Sequence, residues 1–225
     1  LELLPDAAQP FILRALVRCV DATRDGHALA AQVRGMYYPL IMHAAQARFD
    51  SAAHASPVSL SSALSLWHAL VDAADPSTSG AVHIHILSQL PAMVTSVEQH
   101  LANADVQVSA GRATLALLRA LPELQNASTL LAGSAQHVLE LLRAMLTSLT
   151  DQPRVSGLDA TFEDLLVLYL SLLEELVRAC ASSDAAEANA PHADDLRSLC
   201  LGAFGAVMPM LKRDVLTIPS VAEAF

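Results

Sequence analysis

Five apolar helical segments of this chain start at similar points of a slow cycle, near Gln9, Pro57, Asp105, Ala160 and Ile218. Successive starts therefore fall about 48, 48, 55 and 58 residues apart, and a second apolar helix fits inside each complete interval. A pair of amphipathic helices cannot bury its apolar faces alone. Such pairs stack side by side into an open, curved rod, which generally grips other macromolecules along its length.

Composition agrees with helix. The chain is 53% hydrophobic but only 4% aromatic, with Leu and Ala carrying the apolar content; both residues favour helix. Eight glycines are too few for a strand-rich fold with many tight turns. No glycine-rich or aromatic linker divides the sequence. The expectation is an all-α fold, a HEAT/armadillo-like right-handed α-α superhelix of antiparallel helix pairs, since its spacing is close to the roughly 40–47 residues of such repeats with longer loops. Residues 1–225 read as one continuous array, about four helix pairs plus the start of a fifth. The opening Leu1-Glu2-Leu3-Leu4-Pro5-Asp6 has neither a starting Met nor a charged leader, and Ala224-Phe225 resembles a helix cut partway, so a fragment of a longer chain is expected.

Charge restricts the partners. Formal net charge is −10, with thirteen basic against twenty-three acidic residues, and Lys212 is the single lysine. So few cations make a poor binder of phosphate backbones, so no direct nucleic-acid binding is expected; an acidic rod suits basic partners. The longest strongly apolar run, Leu165 to Leu173, stops at Glu174 and Glu175, short of the ~20 residues of a membrane span. No membrane insertion is expected. The same run has the form of a leucine-rich export signal, but its helical spacing reads as core packing. Cys19, Cys180 and Cys200 form no CxxC pair and each sits in an apolar helical stretch, so they read as reduced core residues of a cytosolic or nuclear protein. Asn126-Ala127-Ser128 matches a glycosylation acceptor by coincidence in such a chain.

Periodicity predicts eight helices. The first, about Pro10 to Arg24, has Ile12, Leu16, Cys19 and Val20 on one face and breaks at Asp25-Gly26. The second, about His27 to Phe49, runs through Leu29, Val33, Met36, Tyr37, Leu40 and Ile41, with Pro39 expected to kink it. After a loop from Ser51 to Ser56, the third spans about Pro57 to Ala74 and buries Leu60, Leu64, Trp67, Leu70 and Val71. Asp75 to Gly80 is a turn cluster. The fourth, about Ala81 to Ala104, repeats Leu87, Leu90, Val94, Val97 and Leu101; its start, Val82-His83-Ile84-His85-Ile86, alternates like a strand, but the continuing pattern favours helix. The fifth runs to about Leu121 through Leu115 and Leu118. The sixth, about Ala127 to Thr150, aligns Leu131, Val138, Leu141, Leu142, Met145 and Leu149. A linker covers Asp151 to Gly157, and Thr161-Phe162-Glu163-Asp164 resembles a capping box. The seventh, about Thr161 to Ser182, has the widest stripe: Phe162, Leu165, Leu166, Tyr169, Leu172, Leu173, Leu176, Val177 and Cys180. A polar stretch from Ser183 to His192 precedes the eighth, about Ala193 to Leu211, which carries Leu196, Leu199, Cys200, Val207 and Met210 and ends at Lys212 and Arg213.

No catalytic, cofactor-binding or metal-ligating constellation emerges, and no protein-contacting residue is assigned individually. His83 and His85 are two apart and point ~200° from each other on a helix, so they cannot share a metal; solvated or capping roles are expected. His43, His68, His100 and His137 have no acidic or sulfur partner at ligand spacing. Ala132-Gly133-Ser134-Ala135 lacks the flanks of a nucleophile elbow. Glu174-Glu175 reads as a solvated edge, not an acid/base dyad.

The last third carries a resemblance. Phe162-Glu163-Asp164-Leu165-Leu166 opens a leucine-rich helix; Leu201-Gly202-Ala203-Phe204-Gly205-Ala206-Val207-Met208-Pro209-Met210-Leu211 follows, then Asp214-Val215-Leu216, Ile218-Pro219-Ser220 and a helix ending in Phe225. This order is similar to the C-terminal half of the exportin-4 branch of the importin-β (karyopherin) superfamily, with the exportin-7 branch next. The resemblance covers about Ala160 to Phe225; the first 125 residues match in repeat pattern alone. Ala and Gly stand where bulkier residues are usual. The resemblance implies a nuclear transport receptor with the GTP form of Ran, protein cargo and phenylalanine-glycine nucleoporins as partners, shuttling between nucleus and cytoplasm, with no enzyme activity and no cofactor. The second helices, near His27–Phe49, Ala81–Ala104, Ala127–Thr150 and Ala193–Leu211, would line the concave face. Two readings stand beside it: another helical-repeat scaffold of nucleoporin, phosphatase or coat-subunit type, and a compact all-α enzyme or ligand-binding domain.

Overall fold

The computed structural model describes residues 5–22, 28–151 and 160–181, together with 197, 198, 200 and 201. Outside them lie the Asp25-Gly26 break, all of the linker but Asp151, the polar stretch, nearly all of the eighth predicted helix and the motifs beyond Leu201. The described residues form an all-α structure without strands.

Among the described residues eight helices are delimited: α1 (Gln9–Asp21), α2 (Ala28–Ala52), α3 (Pro57–Ala73), α4 (Pro76–Ser88), α5 (Leu90–Glu98), α6 (Ala104–Ala120), α7 (Ala127–Asp151) and α8 (Ala160–Ala181). A single 3-10 turn, Leu121–Glu123, follows α6. Local chemistry sets the starts. Ser56 caps α3 by accepting from the Ser59 N–H at 3.2 Å, Asp75 caps α4 through Ser77 N–H at 2.9 Å, and Asn103 caps α6 through Val106 N–H at 3.1 Å. Each satisfies a donor that the helix itself leaves open, worth about 1 kcal/mol. Proline occupies the first turn of α1, α3, α4 and α5, where its missing N–H costs nothing. Asn126, at φ 61°, turns the chain into α7; asparagine tolerates the left-handed region better than most side chains.

Two expected boundaries change. The long helix from Ala81 to Ala104 is instead α4 and α5, split at Gln89. Pro91 cannot donate to the preceding turn, so it begins a new helix more readily than it continues an old one. The expected turn cluster from Asp75 to Gly80 is already helix, because Asp75 and Pro76 act as cap and first turn. Only Ser79, at φ −127° and ψ 27°, leaves helical geometry there. The helix α2 continues through Pro39.

The first member of each interval packs on the next. The largest interfaces are α3 with α6, α6 with α8 and α1 with α3; α2 leans on α3, α5 on α7 and α7 on α8. Ser61 Oγ lies 2.9 Å from Ser109 Oγ, 48 residues on. Phe49 of α2 stacks on Trp67 of α3 with ring centroids 4.1 Å apart. Close approach of α6 and α8 needs Gly111: a Cβ there would sit 2.6 Å from Leu168 Cδ2.

Core membership follows the predicted stripes from α3 onward. Leu60, Leu64, Trp67, Leu70 and Val71 are buried, as are Leu131, Val138, Leu141, Leu142, Met145 and Leu149. In α8, Leu165, Leu166, Tyr169, Leu172 and Leu176 are buried while Val177 is 40% exposed. Leu101, expected in a stripe, is exposed beyond the end of α5. The two N-terminal helices depart more. In α1, Leu13, Val17 and Val20 are buried, whereas Ile12 and Leu16 are exposed. In α2, Tyr38, Ala45, Phe49 and Ala52 are buried, Val33 and Ile41 partly so, and Met36, Tyr37 and Leu40 are exposed. A helix apolar on several sides offers more than one stripe, and the neighbour decides which is covered. The cysteines are not core residues either: Cys19 is exposed, and Cys180 and Cys200 are half-buried.

Two glycine substitutions should move stability in opposite directions. Gly111→Val forces Leu168 aside in a packed interface and should cost about 1–3 kcal/mol. Gly133→Ala, at an exposed α7 position with nothing within 4 Å of the new Cβ, should add roughly 0.5–1 kcal/mol. Urea unfolding of the two variants beside the parent measures both; a stable Gly111→Val chain would contradict the close α6–α8 approach.

Candidate functional site

An open groove of about 580 Å³ lies over the face formed by α3, α6 and α8, reaching α4 at one end. A second, of about 420 Å³, adjoins it and shares Arg112 and Asp164. Its walls follow from helix spacing: Arg112, Leu115, Ala116 and Arg119 lie on one side of α6, three and four residues apart. The α8 residues Val167 and Leu168 complete an apolar floor, and α3 supplies His68 and Asp72.

Ion pairs hold the rim. Arg112 reaches Asp164 at 3.0 Å and Arg119 reaches Glu175 at 3.3 Å, both from α6 to α8, while Arg14 of α1 reaches Asp72 of α3 at 3.2 Å. Arg178 contacts Glu174 at 2.6 Å and Glu175 at 2.9 Å. The expected solvated edge thus holds for Glu174, with 62% of its side chain exposed, but Glu175, at 14%, is gripped between two arginines. A carboxylate so committed makes a poor general base. Asp164 serves Arg112, which gives the residue a role that the capping-box pattern did not suggest.

His83 overturns the expectation of a solvated ring. It is fully buried at the α4 end of the groove, and neither ring nitrogen makes a hydrogen bond of good geometry. Burial holds its pKa below the ordinary imidazole value, against smaller opposing effects from the backbone of Ser79 and Val71 and from the Asp21 and Asp75 charges. His68, half-buried on the groove wall, is also lowered, by burial and then by the Arg14 charge. His85 is only partly buried, so the two α4 rings do differ in facing as the helical angle requires. His137 does have an acidic neighbour: its Nδ1 lies 3.1 Å from Glu140, three residues on. His43 is exposed and His100 half-exposed. Ser134 is buried and donates to the Leu130 carbonyl at 2.7 Å, as a helix-bound serine rather than a nucleophile.

Two buried polar clusters were not legible in the sequence. Asp21, at the end of α1, accepts from the Tyr38 hydroxyl of α2 and from the Asp75 N–H at 3.0 Å, and its Oδ1 lies 2.5 Å from Ser79 Oγ of α4. Burial first, then the Asp21 hydrogen bond, raise the Tyr38 pKa and keep the phenol protonated as a donor. Elsewhere the fully buried Gln107 amide donates to the Leu101 carbonyl at 2.6 Å and to Ser148 of α7, which itself donates to Leu101 at 2.8 Å. Both clusters tie three segments together, and the contacts between Gln107 and Ser148 and between Ser79 and Asp21 span 41 and 58 residues. No local pattern announces such contacts.

Among the described residues no group of three or more His, Cys, Asp or Glu side chains is placed to hold a metal ion, and no helix is long and apolar enough to cross a membrane. The groove offers an apolar floor with paired charges at its edge. A scan against protein-family models finds no match. Searches of curated proteins and of solved structures return no similar chain.

The buried imidazoles fix the sign of the acid response. With their folded pKa values below the ordinary 6.5, the unfolded chain binds more protons once pH falls below that point. Stability contributed by neutral His83 and His68 is therefore complete above about pH 6.5 and lost on acidification, at no more than about 1.4 kcal/mol per pH unit for each ring. Urea midpoints measured from pH 7.5 to 5 should fall, and His83→Leu should flatten that fall. A slope unchanged in the variant would show that His83 is not buried neutral.

Proposed function

We propose that this chain is a section of a helical-repeat scaffold that binds other proteins, and that the scaffold is a nuclear transport receptor of the importin-β superfamily. The supporting observation is serial stacking at a near-constant sequence interval. Contacts between successive first helices join residues 48 apart at Ser61 and Ser109, 52 apart at Arg112 and Asp164, and 56 apart at Arg119 and Glu175. That interval matches the cycle of helix starts, and contacts made chiefly with the next unit are the signature of a one-dimensional array. Residues 1–225 form one such array in this reading, a right-handed α-α superhelix.

The scaffold carries no chemistry of its own. Its partners are the GTP form of Ran, protein cargo and phenylalanine-glycine nucleoporins, met as it moves between nucleus and cytoplasm. This finer identity rests on the order of motifs from Ala160 to Phe225; the stacking supports the coarser scaffold reading and is shared by nucleoporin, phosphatase and coat-subunit arrays.

Two measurements separate the levels. Small-angle scattering of the chain should give a radius of gyration clearly above the roughly 17 Å of a compact domain of this length; a value near it would reject the array. Pull-down of the full-length protein should retain both Ran locked in its GTP state and phenylalanine-glycine repeats. Loss of both would reject the transport receptor and leave the scaffold standing.

A further inference from the structure

The exposed large apolar side chains are unevenly placed. Of the eleven among the described residues, six lie on α1 and α2: Phe11, Ile12, Leu16, Met36, Tyr37 and Leu40. At ~100° per residue, Ile12, Leu16 and Cys19 occupy a flank of α1 separate from Leu13, Val17 and Val20. By the same spacing, Met36, Leu40, Ala44 and Ala47 form a strip on α2 turned away from Tyr38, Ala45 and Phe49. Neither strip includes an Asp, Glu, Lys or Arg.

The position of this face in the stack says what fits it. The helix α3 is covered on two sides, by α1 and α6, and α6 is covered by α3 and α8. Within the described residues α1 has only α3 and α2 as substantial neighbours. Its open flank continues the run of interfaces already made between first helices. We propose that the α1–α2 end face receives a further amphipathic helix pair, stacked on them as they stack on α3. The proposal rests on the repeat-scaffold reading and names the partner of one of its surfaces.

The required partner chemistry is narrow. It must bring an uncharged aliphatic stripe, because a charged peptide would bury its charges unpaired against Met36 and Leu40. An open patch of this kind on a single molecule marks an interaction site. Ile12, Leu16, Met36 and Leu40 leaving water together supply the driving force.

Cys19 provides a probe within the strip. It is exposed, while Cys180 and Cys200 are half-buried with thiol pKa values raised by burial, so Cys19 should alkylate first. The test fuses a consensus HEAT-type helix pair ahead of Pro5 through a short loop. Cys19 alkylation should slow by about tenfold or more as the face is covered, and the thermal midpoint should rise. Introducing Leu16→Asp with Leu40→Asp into the fused chain should restore the fast rate with helical circular dichroism unchanged. Cys19 reacting equally fast with and without the fused pair would overturn the proposal. So would sedimentation of the unfused chain as a dimer with Cys19 protected, since a second copy would then be the occupant. An elongated scattering profile with Cys19 unprotected would sink this inference alone, whereas a compact profile would sink the array reading beneath it.

Discussion

Coverage of one helix on two flanks is the constraint on which the rest of this structure depends. Of the seventeen residues of α3, eight are buried, including Leu60, Leu64, Trp67 and Leu70; of the seventeen in α6, eleven are. A helix can hide that much only when neighbours lie on more than one side. The chemistry of α6 reflects it. Between Val106 and Leu117 the buried positions include Ser109, Ala110, Gly111 and Ala113, small residues that let α3 and α8 come close. Fully burying one leucine contributes about 1.5–3 kcal/mol. The partly exposed ion pairs at the groove rim contribute about 0–1 kcal/mol each. Aliphatic packing therefore sets the stack, and the charges Arg112–Asp164 and Arg119–Glu175 decorate its surface.

Polar groups act at the ends of helices, where packing alone leaves backbone donors and acceptors open. Asp21 gathers α1, α2 and α4 by accepting from Tyr38 and from the Asp75 backbone. Gln107 and Ser148 together satisfy the Leu101 carbonyl in the chain reversal before α6. Buried hydrogen bonds of this sort add little net stability, but losing one partner strands the other at a cost of about 1–3 kcal/mol. They fix where helices end and which neighbours meet. The His83 ring is the counterexample, a buried polar group whose nitrogens make no hydrogen bond of good geometry.

Much of this was written in the periodicity. Helix existence, the stripes of α3, α7 and α8, the Ser56–Pro57 start and the helical rather than extended state of Val82 to Ile86 all follow from apolar spacing and caps. Those signals are local, so a window of a dozen residues contains them. Where the local pattern was ambiguous, the reading failed for a physical reason. The α1 segment has a broad apolar side facing Arg14 and Arg18 across the helix, and Leu13 wins over Ile12 and Leu16 only because α3 covers that flank. The α2 segment likewise buries Ala45 and Ala52 where larger residues were expected, since the surface of a neighbour selects for fit as much as for hydrophobicity. Pro91 split a helix that continuous apolar spacing had joined.

The sequence by itself determined that the described residues are helical and where most of their helices begin. Only the tertiary structure decided which stripe of α1 and α2 is buried, that Cys19 is on the surface, and that Asp21, Tyr38 and Ser79 meet. It also decided that His83 is enclosed and that Glu175 is shared by two arginines. The division has one cause. Backbone propensity and amphipathic spacing act over a few residues, whereas burial and most of the polar pairing here join different helices, as far as 58 residues apart, so they exist only once the helices have packed.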